Sequence, residues 1–278
     1  MSWLAALALF CFAANSVLAR LALRDAQIDA ASFTAIRLTA GALFLWFLLQ
    51  RRTQPAASAS RGRWTAALLL FLYAAPFSFA YLELSTGTGA LILFGAVQLT
   101  MIGAGIRAGE RPHPRGWVGL VVALAGLLYL NLPGLSAPSP LGAALMAVAG
   151  IAWGLYSLRG RGAVAPLRQT AESFLLAVPF GLALAAGAWS QAHLSRFGVV
   201  CAVTSGALAS GGGYAAWYTV LPRLSATRAG TIQLAVPALA AIAGVLLLGE
   251  HVSLRLLLSA IAILGGVGIA ISARATSR

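Results

Sequence analysis

Few residues in this chain could do covalent chemistry, and none are spaced for it. Three histidines (His113, His193, His251) and two cysteines (Cys11, Cys201) are scattered through 278 residues. There is no HExxH, no GxSxG and no pair of aspartates inside an apolar run. A zinc site needs several ligands at recognisable spacing, and acyl transfer needs a nucleophile held beside a base. Ser205 and Ser210 stand among small residues and read as packing. Catalysis, a metal and a cofactor are therefore not expected.

Recognition chemistry is richer. Tyr73, Phe77 and Tyr81 recur every four residues, which in a helix puts them on one face with Ser78 beside them. Tyr214, Trp217 and Tyr218 form a second group, and Trp153 and Tyr156 a third. Such residues offer apolar area, ring faces and hydroxyls to a small amphipathic or cationic solute. The competing assignment is the aromatic belt at a membrane surface, which takes Trp3, Trp46, Trp64, Trp117 and Trp189 and leaves Trp217 open. Asn15, Gln98 and Gln233 interrupt apolar runs; in lipid each needs a partner, either another helix or a solute. Arg37 is the one arginine well inside such a run. Its first reading is an ion pair with Asp25, Asp29 or Glu83, and its second is attraction of a substrate carboxylate. No Asp or Glu lies mid-run, so no proton relay is evident and uniport fits as well as antiport.

The elements that must position these residues follow from composition. Hydrophobic residues make up 60% of the chain and charged ones 9%, against roughly a quarter charged in soluble domains. The net charge of +13 sits in short arginine clusters between apolar runs, a topology signal unlike a nucleic-acid stripe. A crossing needs about twenty apolar residues. The chain divides into ten predicted spans: 2–19, 31–50, two between Arg63 and Arg107 split by Glu83, two between Arg115 and Arg159 split at 132–140, then 171–190, 199–221, 229–249 and 255–273. The first is read as a retained helix, since it lacks a basic start and carries Asn15-Ser16 late. With the N-terminus cytoplasmic, fourteen arginines fall inside and four (Arg20, Arg24, Arg196, Arg255) outside. Both termini are thus expected in the cytoplasm.

Sliding the chain by 140 residues lays Gly109-Glu110 on Gly249-Glu250, Arg115 on Arg255 and Gly126 on Gly266. Five helices per repeat is odd, so the expected fold is all-α integral membrane: ten transmembrane helices in two inverted five-helix repeats, 1–131 and 141–278, joined by an extracytoplasmic linker, 132–140. Pro76, the Gly211-Gly212-Gly213 triplet and Pro237 are candidate hinges within it.

The ends of helices 4 and 9, Gly103-Ala-Gly-Ile-Arg-Ala-Gly-Glu110 and Gly244-Val-Leu-Leu-Leu-Gly-Glu250, each precede a glycine-rich helix. With Gln233 to Pro237, Phe12-Ala-Ala-Asn15 and Ala152-Trp-Gly-Leu-Tyr156, the whole chain resembles the EamA-type carriers of the drug/metabolite transporter superfamily. Helix 4 departs from the pattern, carrying Val97-Gln98 where the family has a proline. The resemblance implies a bacterial inner-membrane exporter with a cavity between its halves, taking amino acids, aromatic ones among them, or related cationic compounds. Its partners would be the small-molecule substrate and the bilayer, with the protein a monomer or weak oligomer. Export of a sugar or drug-like cation, or a passive channel, are the alternatives.

Overall fold

The computed structural model describes residues 2–51, 62–107, 114–132, 137–160, 165–220, 233 and 235–275. The helices are α1 (Ser2–Leu23), α2 (Ala30–Gln50), α3 (Arg63–Ala80), α4 (Thr86–Arg107), α5 (Pro114–Asn131), α6 (Pro140–Gly160), α7 (Pro166–Gly187), α8 (Arg196–Val220), α9 (Ala235–Leu248) and α10 (Leu254–Ala275). Among the described residues there is no strand, and one isolated bridge joins Ile28 to Leu194. Among the described residues, seven helices (α1–α4 and α6–α8) are long and apolar enough to cross a membrane, and the apolar stretches in α5, α9 and α10 are shorter. Gly109-Glu110, linker residues 133–136, the loop arginines 52, 61, 111, 161, 223, 228 and 278, and residues 229–232 at the expected start of helix 9 lie outside the described residues.

Local chemistry sets the helix starts. Asp29 Oδ1 accepts the Ser32 N–H at 2.8 Å, and Ser195 Oγ the Gly198 N–H at 3.0 Å. Ser139 and Ser253 do the same for Gly142 and Leu256. These four side chains begin α2, α8, α6 and α10, each satisfying an amide the helix cannot. All four lie at one end of the bundle, together with Asp25, Glu83 and Glu250. The opposite end carries Arg51, Arg63, Arg159 and Arg168. We call these the acid-bearing and arginine-rich ends.

Packing pairs the two halves throughout. Helix α1 lies against α8 and α9, α6 against α3 and α4, α2 against α7, and α5 against α10. The α5–α10 contact is reciprocal: a Cβ on Gly126 would meet Ala262 and Ile263, and one on Gly266 would meet the backbone of Ala123 and Gly119. Positions 126 and 123 therefore face 263 and 266, the same pair exchanged at an offset of 140. Such exchange is the property of a two-fold contact. The outer surface is apolar: Trp3, Trp46, Trp64, Trp117 and Trp189 are exposed, as are Leu141, Leu246 and Ile261. Large apolar side chains displayed on every side fit a hydrocarbon solvent.

Candidate solute-binding site

The core of the bundle is a ring cluster drawn from both halves. Phe12 meets Trp153, Tyr214 and Trp217 edge-on at 5.9–6.2 Å between centroids. Trp153 lies 5.0 Å from Tyr73, 4.8 Å from Tyr214 and stacks on Tyr156 at 5.6 Å. Phe77 bridges Tyr73 and Tyr81. At its centre is a void of about 10 Å³ bounded by Phe12, Asn15, Tyr73, Phe77, Leu93, Phe94, Trp153 and Tyr214.

Four predicted site residues, Asn15, Tyr73, Trp153 and Tyr214, thus converge on one place. Tyr156 and Tyr218 instead face a separate vestibule of about 290 Å³ at the arginine-rich end, with Arg63, Arg159, Gln169, Glu172 and Ser173 around it. Trp217 is buried against Phe12 and is not part of the belt. Tyr81 is fully buried, its hydroxyl reaching the Thr86 carbonyl at 3.4 Å. Ser78 donates to Ala74 O, and Thr34 donates to Ser78, which joins α2 to α3. Gln98 and Gln233 are buried in α4 and just ahead of α9. Pro76 lies within α3. Pro237 lines an apolar outer groove with Gly87, Leu91 and Ala241.

Arg37 corrects its first reading. Asp25 is held by Arg24, Asp29 caps α2, and Glu83 accepts from Ser139. Arg37 pairs with none of them. It is 1% exposed, and its Nη2 donates to the Tyr73 hydroxyl at 2.8 Å while Nε donates to Ser210 Oγ at 3.3 Å. Its guanidinium lies over the Phe77 ring at 4.6 Å and the Tyr73 ring at 5.1 Å. Ring faces and hydroxyls favour the cation but do not neutralise it.

Ser205 and Ser210, read from sequence as packing, both donate to Asn15 Oδ1, at 2.8 and 3.2 Å. Their convergence follows from the backbone of α8, which widens into a π-helical stretch over Ser205–Gly212. Gly206 sits directly on the Arg37 carbonyl, so α2 and α8 touch backbone to backbone. Gly211 and Gly213 admit Phe44 and Cys11, while Gly212 meets little. Wide turns of this kind redirect side chains and recur at functional sites. A run of small residues was the available signal; the widening itself leaves none.

Sequence reasoning also missed a clamp at the acid-bearing end. Glu250 accepts the Thr86 N–H at 2.9 Å and the Thr86 hydroxyl at 3.1 Å, with Arg20 Nε 3.5 Å away. Arg20 Nη1 reaches the carbonyls of Tyr81 and Leu82, and Arg24 reaches that of Leu248. The Gly244–Glu250 motif explains the geometry. Gly249 takes a φ of 64° and turns the chain, so the Glu250 N–H returns to Gly244 O at 3.1 Å. A side chain at Gly244 would collide with the Glu250 carboxylate.

Comparison with known proteins agrees with this architecture. A solved protein structure superposes over 98% of this chain and 99% of its own with a TM-score of 0.65 at 20% identity, which shows a shared fold. An uncharacterized protein of Pseudomonas aeruginosa is 51% identical over 98% of this chain and 94% of its own length. An uncharacterized transporter of Archaeoglobus fulgidus is 26% identical over 69% of this chain and 70% of its own. The EamA-like transporter family matches residues 1–132 and again 140–272. A multi-pass bundle whose halves each match one family, and meet at a shared core, leaves one assignment: the chain belongs to the EamA-like transporter family.

Proposed function

We propose that this transporter exports small amphipathic metabolites, amino acids first among them, across the bacterial cytoplasmic membrane by alternating access. The single observation that carries the reading is the central aromatic and amide-lined void, built from α1, α3, α4, α6 and α8 and closed toward the acid-bearing end by the Arg20–Glu250–Thr86 clamp. The other end opens into the vestibule below Tyr156 and Tyr218. One end latched and the other hollowed is how one state of a carrier looks. A void this small gives no continuous path and speaks against an open pore.

In this reading α5, α9 and α10 complete ten spans. The excess of arginines at one end supports a cytoplasmic assignment for that end, with both termini inside. The separate family matches to 1–132 and 140–272, and the exchanged glycine contacts of α5 and α10, support two repeats of opposite orientation. Pro76 and the 205–213 stretch of α8 are the positions at which the halves would flex. Impermeant labelling of single cysteines near Arg159 and near His193 tests the orientation, since the two must react from opposite faces. Uptake of labelled amino acids into proteoliposomes must saturate; flux linear in concentration would remove the carrier reading.

A further inference from the structure

We infer that Arg37 anchors a carboxylate of the transported solute, so that the substrate is a monoanionic or zwitterionic acid with an apolar body and not an organic cation. The inference rests on the carrier reading and assigns that site its substrate class. Its basis is a charge imbalance at the core. Arg37 is buried, and its Nη1 has no hydrogen-bond partner among the described residues. Each described carboxylate is engaged elsewhere: Asp25 with Arg24, Asp29 with Ser32, Glu83 with Ser139, Glu172 with Arg168, Glu250 with Arg20 and Thr86.

A second orphan lies nearby. The Tyr214 hydroxyl is buried and without a partner among the described residues. Tyr214 lines the same void as Tyr73, the residue that holds Nη2 of Arg37. Two unsatisfied donors, one of them charged, therefore lie at one ring cluster: Tyr214 lines the void, and Arg37 sits against Tyr73 and Phe77, which line it too. Buried donors left open are costly unless something accepts from them. A carboxylate has two acceptor oxygens and a single negative charge, which matches one guanidinium edge and one phenol. A phosphate dianion would call for a second cation beside Arg37, and none of the residues lining the void is cationic. The rings of Phe12, Phe94 and Trp153 suit an apolar or aromatic body.

Ser210 ties this anchor to the moving parts. It accepts from Arg37 Nε and donates to Asn15, and it sits in the π-helical stretch of α8. A carboxylate on Arg37 thus touches α2, α3 and α8 through one hydrogen-bond network.

The test uses the purified full-length transporter and three probes sharing one body: L-phenylalanine, its methyl ester and phenethylamine, with 3-phenylpropionate as the acid lacking the amine. Equilibrium binding and proteoliposome uptake are measured for each. The expected result is binding of the acids, with the ester and the amine weaker by about a hundredfold, the order of effect seen when a buried charge loses its partner. Arg37→Gln must erase that difference, and Tyr73→Phe must keep it. Ester or amine binding as tight as the acids overturns the inference, as does a folded Arg37→Gln that retains acid preference. Should Arg37→Gln fail to fold, the four-probe comparison on the native protein decides alone. Saturable transport of the amine or ester without the acids leaves the carrier reading standing and removes this one. Flux of all four no faster than in protein-free vesicles counts against the carrier reading itself.

Discussion

Replacing Glu250 by glutamine should unlatch the acid-bearing end. The carboxylate accepts the N–H and hydroxyl of Thr86 and faces Arg20 at 3.5 Å, with side chains 12% and 15% exposed. An amide keeps a carbonyl for the Thr86 N–H but loses the charge on that bond and the attraction to Arg20. A hydrogen bond to a charged group contributes about 1.5–3 kcal/mol net, and an exposed pair at most about 1 kcal/mol. Partial burial places the loss between them, at about 2 kcal/mol, or roughly thirtyfold in an opening equilibrium. The assay is impermeant thiol labelling of Leu84→Cys, a buried position two residues from Thr86, in a background lacking Cys11 and Cys201. Labelling from the acid-bearing side should accelerate by about that factor when Glu250→Gln is added. Equal rates with and without it would refute the clamp.

Tyr214→Phe removes a hydroxyl with no partner among the described residues, so it should leave thermal stability unchanged or higher while weakening apparent solute affinity; a loss of stability of 1 kcal/mol or more in denaturation would show the hydroxyl is already satisfied. Gly206→Val drives a side chain into the Arg37 carbonyl and should destabilise by about 1–3 kcal/mol, read from the shift in the unfolding transition in detergent. Asp29→Ala removes the α2 cap and the bond from the His193 N–H, at a cost of about 1 kcal/mol at neutral pH. Burial raises the Asp29 pKa, but the amides of Ser32 and His193 outweigh it and hold it below the usual carboxylate value. Its contribution is therefore present above the unfolded carboxylate pKa and lost as pH falls through the lowered folded value, so parent and variant should converge in acid. A gap between them that persists to the lowest pH would contradict this.

Much of the fold was legible because lipid imposes a coarse rule. Long uncharged runs mark helices, and the five tryptophans at their ends stand exposed as expected. Gly126 and Gly266, matched by the 140-residue offset, meet their partners reciprocally in α5 and α10. Tyr73 and Tyr214 were legible as interior residues because polar aromatics at depth need a shared interior, and both are buried beside the central void. Periodicity conveys depth but not rotation or partner. Arg37 was expected beside an acid, and instead faces Tyr73, Phe77 and Ser210. Ser210 reaches it only because α8 widens, a backbone event with no side-chain pattern. The Arg20–Glu250 contact joins positions 230 residues apart in the chain, which no local spacing records.

Counterflow tests the central claim most directly. Proteoliposomes loaded with unlabelled L-phenylalanine are diluted into a trace of labelled L-phenylalanine, with protein-free vesicles beside them. A carrier whose aromatic void opens alternately to each side must accumulate label transiently above its equilibrium level, and Tyr214→Ala must abolish the overshoot. Label that only rises to equilibrium, at a rate indifferent to the internal load, would contradict the account.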